Sequence, residues 1–177
     1  MNFLKSFSRT VDAINERVGS AVSWLTTVLV IVVCYDVFTR YLMRNSSVAV
    51  QEMEWHLFAL IFLLGAAYTL KHDRHVRVDI IYARLSSKGK AWIDLLGSLL
   101  FLLPFCIVAI WASQSFVANA FRVMETSPNP GGLPGRFLLK AAIPAGFVLL
   151  LLQGLSLAAT SLVQILGRPE GEEVPDD

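Results

Sequence analysis

Two short runs of ionisable residues are where this sequence is equipped for chemistry. Asp36 and Arg40 stand four residues apart, a spacing that puts both side chains on one face of a helix as a pair. Glu52, Glu54 and His56 follow a short connection, with His56 one helical turn beyond Glu52. Carboxylates and an imidazole so placed serve ion pairing within the chain, contact with a partner, or proton and ion transfer. Arg40 meeting Glu52 across the connection would neutralise both, and a structural ion pair between them is the expectation. Elsewhere the polar groups are scattered. Asp94 is expected in the first turn of a helix, where the backbone dipole favours a carboxylate. Lys140 is expected to open a helix and snorkel outward. Gln153, deep in an apolar run, suits a helix–helix hydrogen bond. There is no Ser/His/Asp set, no metal-ligand spacing and no Gly-rich phosphate loop. His56, His72 and His75 lie near the ends of apolar segments, where they make poor haem ligands.

The elements that carry these residues are apolar. The chain has 177 residues, 55% hydrophobic and 16% charged, with a mean hydropathy of +0.58. Soluble domains carry about 25% charged residues. This composition excludes a disordered chain, a disulfide-stapled secreted domain and an ordinary soluble enzyme. A bilayer core needs about 20 apolar helical residues. Four windows meet that length, at about 18–38, 50–70, 91–116 and 138–162. The fold class is therefore an all-α integral membrane protein with four transmembrane helices, one membrane domain over 1–177. The first window is too long for a cleaved signal and reads as an uncleaved anchor. Net charge is only +1, which gives no reason to expect nucleic acid. Its distribution is more telling. Lys5, Arg9 and Arg17, the connection from Lys71 to Lys90, and Arg168 lie on one side, against Arg40, Arg44, Arg122 and Arg136 on the other. By the positive-inside rule both termini are cytoplasmic.

Outside the spans, Leu4, Phe7, Val11, Ile14 and Val18 repeat at three- and four-residue spacing. They predict an amphipathic helix over 1–17, lying on the membrane surface or a partner, or leading in solvent to the first span. Val78, Ile81, Tyr82 and Leu85 predict a short interfacial helix among basic residues. Three prolines and three glycines from Ser127 to Gly135 exclude regular structure there, leaving a docking surface or a connector. Residues 167–177 form an acidic tail expected to be disordered. Pro104 and Pro144 are expected to kink the third and fourth spans. The span centres are apolar, at Val28 to Val30, Leu60 to Phe62, Leu102 and Leu103, and Leu149 and Leu150. Secondary transporters normally build their sites at that depth from repeated halves with broken helices. Neither feature is present, so the chain reads as a scaffold and not as a pore or a catalyst.

Several residues together carry a family resemblance. They are Arg40-Tyr41 ending the first span, Glu52 opening the second, Gly65-Ala66-Ala67 late in it, and then His75 and Asp79, followed by Ile143-Pro144-Ala145-Gly146-Phe147 and Gln153 in the last span. In motif, spacing and topology the chain resembles the small (DctQ-type) membrane subunit of tripartite ATP-independent periplasmic, or TRAP, transporters. One departure is that Gln51 precedes Glu52 where many members have a second acid, with Glu54 two residues on. The resemblance implies a multi-pass subunit of the bacterial inner membrane, neither an enzyme nor a cofactor binder. Its partners would be a large (DctM-type) membrane subunit that carries substrate and sodium, and a periplasmic (DctP-type) binding protein that captures an organic acid. Residues 127–147 resemble a branch associated with 2-oxo or hydroxy acids. Asp36, Arg40, Tyr41, Glu52, Glu54, Gly65, His75, Asp79, Lys140 and Gln153 are then candidates for subunit contacts or structural roles. A cytochrome-like electron-transfer subunit and a small autonomous exporter are the readings from other classes.

Overall fold

The computed structural model describes residues 2–72 and 85–166. His75, Asp79, the expected interfacial helix and the acidic tail lie wholly or mostly outside them. In a bilayer no water is available to pair backbone groups, so apolar segments of this length close their hydrogen bonds as helices. Four helical stretches are long and apolar enough to cross a membrane. The first is α1, Asn2–Leu42, and the second is α2, Val48–Lys71. The third is broken into α3, Ser87–Gly97, a π-helical turn at Ser98–Leu102, and α4, Leu103–Arg122. The fourth is α5, Arg136–Leu166. Both ends of the described chain fall at one end of the bundle, the terminal end. The α1–α2 and α4–α5 connections lie at the other, the loop end.

At 1.5 Å per residue, α1 is about 61 Å long, roughly twice the apolar thickness of a bilayer. The amphipathic segment over 1–17 is thus no separate surface helix. It continues into the first span without a break and turns its polar stripe toward α5. The π turn coincides with Pro104, which has no N–H for the carbonyl of Leu100 and would crowd it. One residue is accommodated by a wider turn, and the Leu103 N–H donates to the Ser98 carbonyl. Asp94 is the eighth residue of α3 and not in its first turn. That helix begins earlier than expected because the Ser86 hydroxyl caps it, accepting from the Gly89 N–H at 3.2 Å.

α5 is the hub, packed against each of the other helices. Small residues let backbones approach there, as they do in membrane bundles generally. A Cβ added at Gly146 would stand 2.5 Å from the backbone oxygen of Leu63 in α2. At the α1–α2 crossing a Cβ on Gly19 would meet the Tyr68 ring at 2.1 Å, whereas Gly65 faces Val22 at an ordinary 3.9 Å. Cys106, Leu70 and Leu150 form the centre of the core. By contrast, large apolar side chains of α1 (Trp24, Ile31, Phe38) and α4 (Phe105, Val108, Trp111) are exposed.

Candidate functional site

The most organised polar group stands at the loop end. α4 stops in a complete C-terminal motif. Met124 adopts a left-handed φ of 45°, its N–H donates to the Phe121 carbonyl, and the Glu125 N–H donates to that of Ala120. The following loop folds on itself. The Asn129 N–H bonds the Ser127 hydroxyl, the Gly132 N–H bonds the Asn129 carbonyl, and the Ser127 N–H bonds the Leu133 carbonyl at 3.1 Å. Gly131 and Gly135 take positive φ values of 75° and 80°, which side chains disfavour.

Glu52 of α2 closes this loop. It is 3% exposed. Its Oε1 accepts from the Ser127 hydroxyl and, at 3.1 Å, from Asn129 Nδ2, while Oε2 accepts from the Leu133 N–H at 2.8 Å. The expected Arg40–Glu52 pair does not form. Arg40 pairs with Asp36 on its own helix, where the four-residue spacing brings them together, and Asp36 is 1% exposed. Glu52 is satisfied by neutral donors from a loop 75 to 81 residues away. Those donors, Ser127 and Asn129, were visible in the sequence as the polar residues of a Pro/Gly-rich loop, but nothing there identified their partner.

His56, one turn on, is held through Nδ1 by the Glu52 backbone carbonyl at 2.6 Å. Its Nε2 and Glu54 Oε1 are buried without a hydrogen-bond partner among the described residues. Lys140 reaches toward the loop end. It pairs there with the Glu125 carboxylate, its ammonium 3.9 Å from the Phe116 ring centroid. Beside it the Arg136 guanidinium lies 5.2 Å over Trp55. Tyr41 is fully on the surface beside Arg40.

The second polar group joins α1 to α5 nearer the terminal end. Gln153 Oε1 accepts from Asn15 Nδ2 at 2.6 Å, and its Nε2 donates to Asp12 at 2.9 Å. The Ser156 hydroxyl donates to the same Asp12 oxygen at 3.2 Å and lies 2.6 Å from that of Ser8. Glu16 accepts from Lys71 at 2.6 Å and contacts His72 at 2.9 Å, tying α1 to the end of α2. Asp12, Asn15, Ser8 and Ser156 had no role in the sequence reading, although Asp12 belongs to its amphipathic stripe.

Glu52, Glu16 and Glu125 take donors from their own chain, so these contacts clamp helices and a loop together. Among the described residues no group of three or more His, Cys, Asp or Glu is placed to hold a metal ion. Comparison with known proteins gives one family match. The model for the DctQ component of the tripartite ATP-independent periplasmic transporters matches residues 29–164. No curated protein matches the chain.

Proposed function

The chain belongs to the DctQ family, the small membrane component of tripartite ATP-independent periplasmic transporters, and from that premise we propose that it is a fixed frame for the large subunit. In this reading the DctM-type subunit carries an organic acid together with sodium across the bacterial inner membrane. The small subunit packs against it through apolar helix faces, with both termini in the cytoplasm. The outer loop clamped by Glu52 offers a preset surface to the DctP-type binding protein. The chain itself contributes no catalytic group and no cofactor.

One observation carries the reading. Asp36, Glu52 and Lys140 are engaged within the chain, while the flanks of α1 and α4 leave Trp24, Ile31, Trp111 and their neighbours uncovered. A static support has those properties. An autonomous carrier needs polar groups free at mid-depth to meet its cargo. An electron-transfer subunit needs facing imidazoles. His56 on α2 and His72 at its C-cap lie 16 residues apart, about 24 Å along the axis. Affinity purification of the tagged chain from native membranes is the test. A large multi-span subunit should co-purify in fixed ratio, and recovery of this chain without one sinks the proposal. Uptake of an organic acid by liposomes holding this chain alone would sink it equally.

A further inference from the structure

Between α2, α4 and α5 at the loop end is a cleft of about 430 Å³, a size within the range of small-molecule sites. Its mouth carries Arg136, Lys140 and Glu125, and its walls include Ala59, Leu63 and Ile143. Lys140 and Glu125 neutralise each other. Arg136 is different: among the described residues it forms no salt bridge and its guanidinium donates no hydrogen bond. It rests on the face of Trp55. Glu52 lies within electrostatic reach, but its oxygens are filled by Ser127, Asn129 and Leu133. The mouth thus keeps a guanidinium whose hydrogen-bond donors are open.

The cleft is also graded with depth. Leu63 is eight residues below Trp55 on α2, and Ile143 seven below Arg136 on α5. At 1.5 Å per residue the apolar walls descend about 10–12 Å from the charged mouth. Trp and Arg at the end of a span mark the headgroup level of a bilayer. A cation at that level above an apolar slot matches a molecule with a phosphodiester at one end and a hydrocarbon chain at the other. A soluble phosphate has no use for the slot, and an apolar helix from another subunit has none for the cation. We infer that this cleft is a phospholipid site, in which Arg136 holds the phosphodiester of a glycerophospholipid and one acyl chain lies against Leu63 and Ile143. Guanidinium suits that role because its planar donors match phosphate oxygens in pairs.

Native mass spectrometry of the purified full chain, titrated with phosphatidylglycerol, tests this. Two variants bracket the site. R136Q removes the charge, and I143W fills the slot while leaving Arg136 in place. R122Q removes an exposed basic residue at the same end that does not line the cleft. We expect R136Q to weaken lipid retention about tenfold, the loss of one charge-assisted contact, and I143W to weaken it comparably by blocking the acyl chain, with R122Q and helix content by circular dichroism unchanged. Diacylglycerol, which lacks the phosphate, and glycerol 3-phosphate, which lacks the chains, should each bind at least tenfold more weakly than the whole lipid. The proposal is overturned by equal retention in R136Q and wild type, by diacylglycerol or glycerol 3-phosphate binding as well as phosphatidylglycerol, or by a Leu139→Cys probe that cross-links only to protein in native membranes.

Discussion

Glu52 Oε2 accepts the backbone N–H of Leu133 from 81 residues away, at 2.8 Å. One carboxylate at the head of α2 therefore sets the conformation of the loop between α4 and α5. Its grip is on main chain and on short side chains with little freedom of their own.

Replacing Glu52 with Ala should release that loop while leaving the four spans in place. The amides of Leu133 and Asn129 then lose their protection, and hydrogen–deuterium exchange should show faster exchange over 127–133 with α2 and α5 unchanged. Glu52→Gln should fall between, since its amide nitrogen cannot accept. Gly132→Ala should reproduce the Ala phenotype from the other side. Its Cβ would stand 2.3 Å from Ser127 Oγ and 2.9 Å from Glu52 Oε2, so the clamp must open. Because both substitutions break one unit, the double variant should exchange no faster than either single.

Asp36 and Arg40 should show energetic coupling, and Arg40 and Glu52 should show none. Removing the guanidinium with Arg40→Gln strands a carboxylate that is 1% exposed. The cost is about 1–2 kcal/mol, less than for a buried pair because Arg40 itself is 44% exposed. In thermal unfolding of detergent-solubilised protein, Asp36→Asn in the Arg40→Gln background should cost little more. Arg40→Gln and Glu52→Ala should add. Additivity in the first cycle, or coupling in the second, would contradict the observed pairing.

This contrast shows where the sequence was legible. Four spans, the irregular loop and the Asp36–Arg40 pair all depend on apolar length or on a spacing of four, which are local properties of the chain. The partner of Glu52 depends on how a loop with three prolines and two left-handed glycines returns to α2, and no local rule encodes that return. An arginine near a carboxylate in sequence is a tempting partner, but Arg40 had already been taken within its own helix. Gln153 stood out as an amide in an apolar run. Its partner Asn15 did not, because the sequence left open whether the first segment lies on the membrane surface or leads into the span, and it continues into the span as one helix. At Pro104 the local geometric conflict is met by a π turn, a wider ring that no spacing rule in the sequence announces.

Two glycines in the spans should respond oppositely to alanine. At Gly146 the Cβ would meet the Leu63 backbone oxygen at 2.5 Å and its carbon at 2.9 Å, atoms that cannot swing aside. α2 and α5 must separate, at a cost of about 3 kcal/mol. At Gly97 nothing lies within 4 Å. There alanine only removes backbone freedom from a helix interior and should stabilise by about 0.5–1 kcal/mol. Melting temperatures in one detergent should therefore move down for Gly146→Ala and up for Gly97→Ala. A shared direction would mean that close backbone approach is not what Gly146 provides.

Gln153 tests whether the long first helix is anchored by polar bonds or merely lies beside α5. Gln153→Leu keeps the volume and apolar contacts but removes bonds to Asn15 and Asp12. Asn15 is 2% exposed, and its Oδ1 has no partner among the described residues, so the substitution leaves its whole amide buried and unpaired. Hydrogen bonds between membrane helices average about 0.6 kcal/mol each, and an abandoned polar group adds to that. The loss should be about 1–2 kcal/mol, appearing as faster amide exchange in the first four turns of α1 and little change in α2. Gln153→Glu should be worse than Leu. It keeps an acceptor for Asn15 but sets a second carboxylate against Asp12 in a part-buried site. If Gln153→Glu proves the milder of the two, Asp12 does not face this side chain as an acceptor, and the network is wired differently.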